Sequence, residues 1–261
     1  MIKQTALLKK KHGMDHDAFV KRYEEGHVPL VNRVLPFHAD YRRNFIVPNS
    51  LVELEHIADP PPPPDFDVIT QIWYENQAKL DGLLEALANT DAGDQISRDE
   101  EDLFDRSKMV MFETEAFETP QELLQPRPEG FEGPPPVKQV ALLRAKPGMS
   151  REDFIAYYEN NHAPLALRLL KKNGKPLFAR YIRNFPVPAG KFHMAHVEAP
   201  PPDIDFDVMS EFWYWSMDDF NELLRLCAEP EIGAEIAKDE EAFFDRTRVT
   251  IFMVNEYGAQ S

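Results

Sequence analysis

The sequence is poor in the residues that build several common kinds of protein. Its 261 residues include one cysteine and 11 glycines. An internal disulfide framework is therefore excluded, and little material is left for the glycine-rich loops that bind phosphate groups. No apolar run approaches the roughly 18 to 20 residues that a membrane-spanning helix requires. We expect no transmembrane segment and no nucleotide or flavin cofactor.

Basic residues are also scarce relative to acids. The chain has 29 lysines and arginines against 45 acids, a net charge of -16, so phosphate would be repelled over most approaches and nucleic acid is not an expected partner. The first residues, MIKQTALLKKKHG, place a short apolar stretch before the lysines. This is the reverse of a secretory signal, and we expect no export and a cytoplasmic location. Cys227 lies in the apolar run LLRLCA, where it is expected to fill the core.

What the sequence does contain is a long repeat. The segment Lys3 to Leu30 returns as Lys138 to Leu165 with no insertion, and later segments match after five extra residues around KKNGKP in the second copy. A repeat of this length is a domain duplication, and each copy is large enough to bury its own core. We predict one domain at 1–117, a proline-rich linker at 118–136 and a second domain at 137–257.

Each copy shows the same order of predicted elements. An opening strand leads to an amphipathic helix that starts at Asp15 or Ser150, both suitable N-caps, and is interrupted by a His-x-Pro sequence. Two strands follow, then two helices and a last strand. The later elements are expected at about 77–87, 96–104 and 108–115, and at about 217–227, 236–244 and 248–254. This order predicts an α+β fold of two ferredoxin-like βαββαβ units, fused as a pseudo-dimer.

Two motifs occur in order in both copies. They are Tyr23-Glu-Glu-Gly-His27-Val-Pro29-Leu30 with Tyr41-Arg-Arg43-Asn44, and Tyr158-Glu-Asn-Asn-His162-Ala-Pro164-Leu165 with Tyr181-Ile-Arg183-Asn184. On these motifs the chain resembles the EthD family of the dimeric α+β barrel superfamily. The resemblance implies a barrel made by pairing two units, with a small-molecule pocket between the sheet and the helices of each. The superfamily includes cofactor-free oxygenases, decarboxylases, dehydratases, isomerases and polyketide cyclases, so the fold alone does not select an activity.

The candidate catalytic residues are His27 and His162, because imidazole ordinarily titrates near neutral pH. The alternative is that each histidine bonds to a carbonyl freed by the helix interruption. Tyr23 and Tyr158 lie four residues earlier on the same helix face, where they would orient the histidine or supply a phenol. Packing in the core is the alternative for both tyrosines.

The candidate substrate-binding residues lie on the strands and beside the proline tracts. A tyrosine and an arginine two residues apart share a strand face and would bind a carboxylate or phenolate; a cross-strand stack with a surface ion pair is the alternative. The repeated pair His56 and His196 would line the pocket mouth or cap a strand, and His193 has no counterpart. Three tryptophans favour an aromatic ligand, unless they only fill the core. The full set is Tyr41, Arg43, Tyr181, Arg183, His56, His193, His196, Trp73, Trp213 and Trp215.

The absence of HxxxH, HxH and CxxC patterns argues against a metal site. The leading hypothesis is a cofactor-independent lyase or isomerase, of decarboxylase or dehydratase type, acting on a small aromatic or polyketide-like compound. One alternative is a cofactor-free monooxygenase of phenols. Another is a non-catalytic stress protein that binds a hydrophobic ligand, haem included. Further self-association of the pseudo-dimer stays open.

Overall fold

The computed structural model describes residues 1–54, 63–192 and 202–258. Each unit contains one short π-helix between two α-helices. The elements of the first unit are β1 (Ile2–Leu8), α1 (His16–Arg22), π1 (Tyr23–His27), α2 (Val28–Val34), β2 (Asp40–Leu51), β3 (Val68–Tyr74), α3 (Gln77–Asn89), α4 (Asp91–Leu103) and β4 (Val110–Glu118). Short 3-10 turns cover Arg106–Lys108 and, in the connection between the units, Gln121–Leu123.

The second unit repeats this order and adds a small hairpin. Its elements are β5 (Val137–Ala145), α5 (Arg151–Tyr157), π2 (Tyr158–His162), α6 (Ala163–Leu169), β6 (Lys171–Lys172), β7 (Lys175–Pro176), β8 (Arg180–Phe192), β9 (Val208–Tyr214), α7 (Met217–Cys227), α8 (Pro230–Phe243) and β10 (Phe244–Gly258). The hairpin β6-β7 occupies the insertion KKNGKP. Its turn residues Asn173 and Gly174 both have positive φ, the conformation that tight hairpin turns require.

Eight strands form one closed antiparallel barrel in the order β1-β3-β2-β10-β5-β9-β8-β4. The last strand of each unit joins the two halves, because β4 pairs with its own β1 and with β8, while β10 pairs with its own β5 and with β2. The prediction of two βαββαβ units fused as a pseudo-dimeric α+β barrel is therefore confirmed.

The helix interruption predicted at the His-x-Pro sequence is a π-helical turn. The Val28 N–H bonds to the Tyr23 carbonyl, five residues back. Pro29 follows with no N–H of its own and would crowd the carbonyl four residues earlier in a regular α-helix. The N-caps are confirmed, since Asp15 accepts from the Ala18 N–H and Ser150 from the Asp153 N–H.

Helices α4 and α8 start earlier than expected, because the sequence pattern predicted that they begin near residues 96 and 236. Thr90 caps α4 by accepting from the Ala92 N–H. Gly93 then lets the new helix pass the end of α3, since a Cβ there would lie 2.0 Å from the Leu87 carbonyl oxygen. The two helices pack against each other next to this turn.

The barrel interior changes from apolar to charged along the strands. Its apolar part contains Leu7, Phe66, Ile69, Val110, Phe112, Val140, Leu142, Phe206, Met209, Phe252 and Val254. In the charged part, Lys138 Nζ lies 2.6 Å and Lys3 Nζ 3.6 Å from the buried Glu211 carboxylate, which also accepts from Gln71 Nε2 at 2.7 Å. These contacts join the two units at their pseudo-twofold axis.

Candidate functional site

A cavity of about 210 Å³ lies in the first unit, between the outer face of the sheet and the helices. Side chains alternate along β1, so Gln4, Ala6 and Leu8 face this cavity while Lys3, Thr5 and Leu7 face away from it. Most of the wall is apolar, formed by Val31, Leu35, Ile72, Leu83, Leu84, Leu87, Ala88, Ile96, Phe104, Met109 and Met111. Its polar groups are therefore few and individually placed.

His27 lines the cavity and is held by a carboxylate from α4. Its Nδ1 lies 2.7 Å from Asp99 Oδ2. A carboxylate only accepts, so Nδ1 carries the hydrogen, and in the neutral ring Nε2 is the atom that can take a proton. Burial raises the pKa of Asp99, but its bonds to His27 and Arg22 outweigh that effect and hold the pKa below its ordinary value. Asp99 is thus an ionised partner that fixes the imidazole.

Arg22 is the second partner of Asp99, and a glycine makes room for it. Its guanidinium bonds to Asp99 Oδ1. A Cβ on Gly26 would lie 2.2 Å from Arg22 Nη1, so a larger residue would push the arginine away. In the second unit Tyr157 takes this place, and its Oη donates to Asp239 at 3.2 Å. The carboxylate beside the first histidine therefore has a cationic neighbour that its counterpart lacks.

Three hydroxyl groups form a chain on the cavity wall. Tyr23 Oη lies 3.1 Å from Tyr41 Oη and 2.9 Å from Thr70 Oγ1. The π-helical turn aligns Tyr23 with His27, whose rings meet edge to face at 5.0 Å. Burial raises the pKa of Tyr23 to about 12, so its phenol is neutral at physiological pH. The chain can donate a hydrogen bond or relay a proton beside His27.

His38 is a second imidazole on the cavity wall. Its ring centre lies 5.4 Å from that of Tyr41. Burial lowers the pKa of His38 below its ordinary value, which favours the neutral ring near neutral pH. The equivalent residue in the second unit is Phe178, so this polar group belongs to the first unit alone.

The corresponding cavity of the second unit measures about 90 Å³. The histidine, the carboxylate and the hydroxyl chain are all present, with His162 Nδ1 2.7 Å from Asp239 Oδ2 and Tyr158 Oη 2.8 Å from Ser210 Oγ. Aromatic side chains occupy the space that is open in the first cavity. Phe212, which replaces Ile72, stacks on Tyr181 at 4.5 Å and lies 5.2 Å from Phe178. The two units share polar machinery and differ in open volume.

The arginines predicted to bind substrate are engaged elsewhere. Arg43 Nε donates to Glu24 at 2.9 Å, a second bond joins the same two side chains, and the guanidinium lies over the Tyr41 ring. Arg183 forms the same paired contact with Glu159. Neither arginine is among the described lining residues of these two cavities, so their geometry matches the alternative reading of a stack with an ion pair.

The three tryptophans also lie away from both cavities. Lys3 Nζ lies 4.6 Å from the Trp73 ring centre and Lys138 Nζ 4.0 Å from that of Trp213, at the charged part of the barrel. Trp215 packs on Phe131 of the connection. The positions of the three tryptophans do not support a role in binding an aromatic ligand in either cavity. His56, His193 and His196 lie outside the described residues.

Several cavity residues were missed by sequence reasoning. These are Gln4, His38, Thr70 and Glu100 on the cavity wall. Asp99, which lies behind the wall and bonds to His27, was missed as well. Asp99 and Asp239 are repeated at equivalent positions, and that repetition was the available signal. It was obscured because both lie in acidic runs that are typical of solvated helix faces. His38 had no signal, since the second copy has phenylalanine there.

A wider cleft of about 710 Å³ opens at the apolar part of the barrel. Two of its acids are paired with bases, Asp65 with Lys108 at 2.6 Å and Asp205 with Arg144 at 2.8 Å. No histidine or tyrosine is among its described lining residues. The part of the chain that the structure describes holds no cluster of three or more His, Cys, Asp or Glu arranged for a metal ion. It also holds no helix long and apolar enough to cross a membrane.

A closed α+β barrel built from two like units, with a histidine beside a tyrosine in each, defines the class of protein. The EthD domain profile matches residues 11–107 and 146–247, and the chain belongs to the EthD family. A comparison with curated proteins gives no match.

Solved structures show the same fold at low sequence identity. An anthrone oxidase-like protein is 9% identical with a TM-score of 0.57, covering 100% of this chain and 94% of its own. A proposed monooxygenase from Lactobacillus acidophilus NCFM is also 9% identical, with a TM-score of 0.51, covering 99% of this chain and 95% of its own. These likenesses establish the architecture.

Proposed function

We propose that the first unit is an enzyme that moves a proton on a small aromatic or polyketide-like compound, in a lyase or isomerase reaction of the decarboxylase or dehydratase type. The observation that carries this proposal is the His27-Asp99 pair on the wall of an apolar cavity, with Nε2 as the free basic atom of the ring. A base held this way in a dry site accepts a proton without first reorganising water.

The chemistry needs only groups that the chain supplies. In a dehydration, a C–H bond beside a carbonyl breaks, its proton passes to His27 Nε2, and the electron pair moves onto the carbonyl oxygen; the enolate then expels a neighbouring hydroxyl group, which takes the proton back and leaves as water. In a decarboxylation, the C–CO₂ bond breaks instead, its electron pair moves onto the substrate oxygen, CO₂ leaves, and the carbon then takes a proton from the site. The hydroxyl chain of Tyr23, Tyr41 and Thr70 would bond that oxygen or return the proton. Apolar walls favour a substrate that is itself largely hydrocarbon.

The test measures proton removal directly. The protein is incubated with 2-tetralone in D₂O, and loss of the acidic C–H signal is followed by NMR. We expect His27→Ala to slow exchange by at least about 100-fold, and Asp99→Asn by at least about tenfold through loss of the fixed imidazole. His162→Ala is the matched control and should remain within about threefold of wild type. Exchange that is equally fast in wild type and His27→Ala would show that His27 is not the base.

A second candidate is oxygenation of a phenol or enol without a cofactor. It is favoured by the descriptions of the two similar structures, an anthrone oxidase-like protein and a proposed monooxygenase. The first step, proton removal to give an electron-rich anion, is the same. Consumption of oxygen in step with substrate loss would select this reaction. Tight binding with neither exchange nor oxygen consumption, or a Soret band on purification, would favour a binding protein instead.

A further inference from the structure

One polar group in the first cavity has no partner. Gln4 is 1% exposed, lines the cavity, and its Nε2 has no hydrogen-bond acceptor within the described residues. Leaving a buried amide donor unpaired costs about 1 to 3 kcal/mol. Such a cost is offset when a bound molecule supplies the acceptor.

The equivalent position in the second unit has a side-chain partner. Gln139 is the equivalent residue, and its Oε1 accepts from Tyr214 Oη at 2.6 Å. Tyr74 and Gln4 both line the first cavity, yet no such bond joins them. The amide of Gln139 is thus held through its oxygen by a tyrosine of the small cavity, whereas no tyrosine among the described residues holds the amide of Gln4 in the large one.

We propose that Gln4 binds an oxygen atom of the substrate, donating from Nε2 to a carbonyl, enolate or phenolate oxygen. This inference rests on the proposed function and names its ligand more closely, as an apolar molecule with a hydrogen-bond-accepting oxygen. Gln4 is neutral, so it can bond the oxygen before and after negative charge moves onto it. The bond shortens and strengthens as that charge develops.

The experiment compares two probes that differ by one carbonyl group, 2-tetralone and tetralin, in ligand-observed NMR titrations of the full chain. We expect wild type to bind 2-tetralone about fivefold more tightly than tetralin, the effect of one neutral hydrogen bond. Gln4→Leu should abolish this preference and leave the Kd for tetralin within about twofold. Gln139→Leu is the matched control and should keep the preference. Thermal unfolding of each variant verifies that it folds.

The outcomes separate the two proposals. A preference that persists in Gln4→Leu, or one that is lost equally in Gln139→Leu, overturns the assignment of Gln4. If neither probe binds wild type, the ligand class behind both proposals is wrong. If the Gln4-dependent preference is present but His27→Ala does not slow deuterium exchange, the ligand contact stands and the proposed acid/base function falls.

Discussion

At the scale of single residues, His38 distinguishes the first unit. It is half-buried on the cavity wall, and burial lowers its pKa. A folded-state pKa below the unfolded value means that the unfolded chain takes up a proton first as pH falls. The contribution of His38 to stability is therefore present above about pH 6.5 and is lost as pH falls through the lowered folded-state pKa.

The change that tests this is His38→Phe, which copies the residue of the second unit. As pH is lowered from 7.5 to 5, we expect the free energy of unfolding of wild type to fall relative to that of His38→Phe. Urea unfolding measures both. The larger phenyl ring should also weaken binding of 2-tetralone. A difference that stays constant across this range would show that His38 titrates alike in the folded and unfolded chains.

At the scale of elements, the paired contact between Arg43 and Glu24 ties π1 to β2. Both side chains are largely buried, and two bonds connect them. Arg43→Met would leave Glu24 without its partner, at a cost of about 3 kcal/mol, because breaking a buried pair strands the remaining charge. It should also lower the rate of deuterium exchange, since π1 carries Tyr23 and His27.

A double-mutant cycle with Glu24→Gln isolates the pair. We expect a coupling free energy of about 1 to 3 kcal/mol from chemical denaturation. The equivalent pair, Arg183 and Glu159, is the matched control. Its removal should cost similar stability without slowing exchange. Equal losses of exchange in both units would contradict the assignment of the reaction to the first.

Much of the element order was readable from the sequence, for identifiable reasons. The repeat fixed the two units, and the N-caps Asp15 and Ser150 marked helix starts correctly. The earlier start of α4 was missed, since a Thr cap and a close-packed glycine are weak local signals. The sequence offered His27 and His162 as catalytic candidates, and that role stays a prediction; the carboxylate of Asp99 beside His27 was not predicted. Its role depends on α4 crossing π1, and such a contact between distant segments is not encoded in local spacing.

At the scale of the molecule, the two units share the histidine, its carboxylate and the hydroxyl chain but differ in open space. The difference rests mainly on Phe178 and Phe212, which stand where the first unit has His38 and Ile72. The double variant Phe178→His with Phe212→Ile should raise the number of 2-tetralone molecules bound per chain from one to two, measured by NMR titration. We expect it to cost about 2 to 4 kcal/mol of stability through the cavity created.

A stoichiometry that remains at one in this folded double variant would show that open volume is not what separates the units. The charged part of the barrel would then be the next candidate for the feature that separates the two units. There Gln71 faces Glu211 across the pseudo-twofold axis. Burial lowers the pKa of Lys3 to about 8. Burial also raises the pKa of Glu211, but the neighbouring Lys138 and Lys3 outweigh that effect and hold this pKa well below its ordinary value.

The last strand of each unit bridges to the other unit, and this pairing has a consequence for synthesis on the ribosome. When the first 118 residues have emerged, β2 and β4 are both open edges, because their partners β10 and β8 are still to come. Open edges pair readily with other chains. Once β8 has been made, covalent fusion supplies β4 with its partner at high effective concentration. The edge of β2 stays open until β10 is made, when almost the whole chain is complete. A chain cut short before β10 should therefore be prone to aggregate even though its first unit is complete.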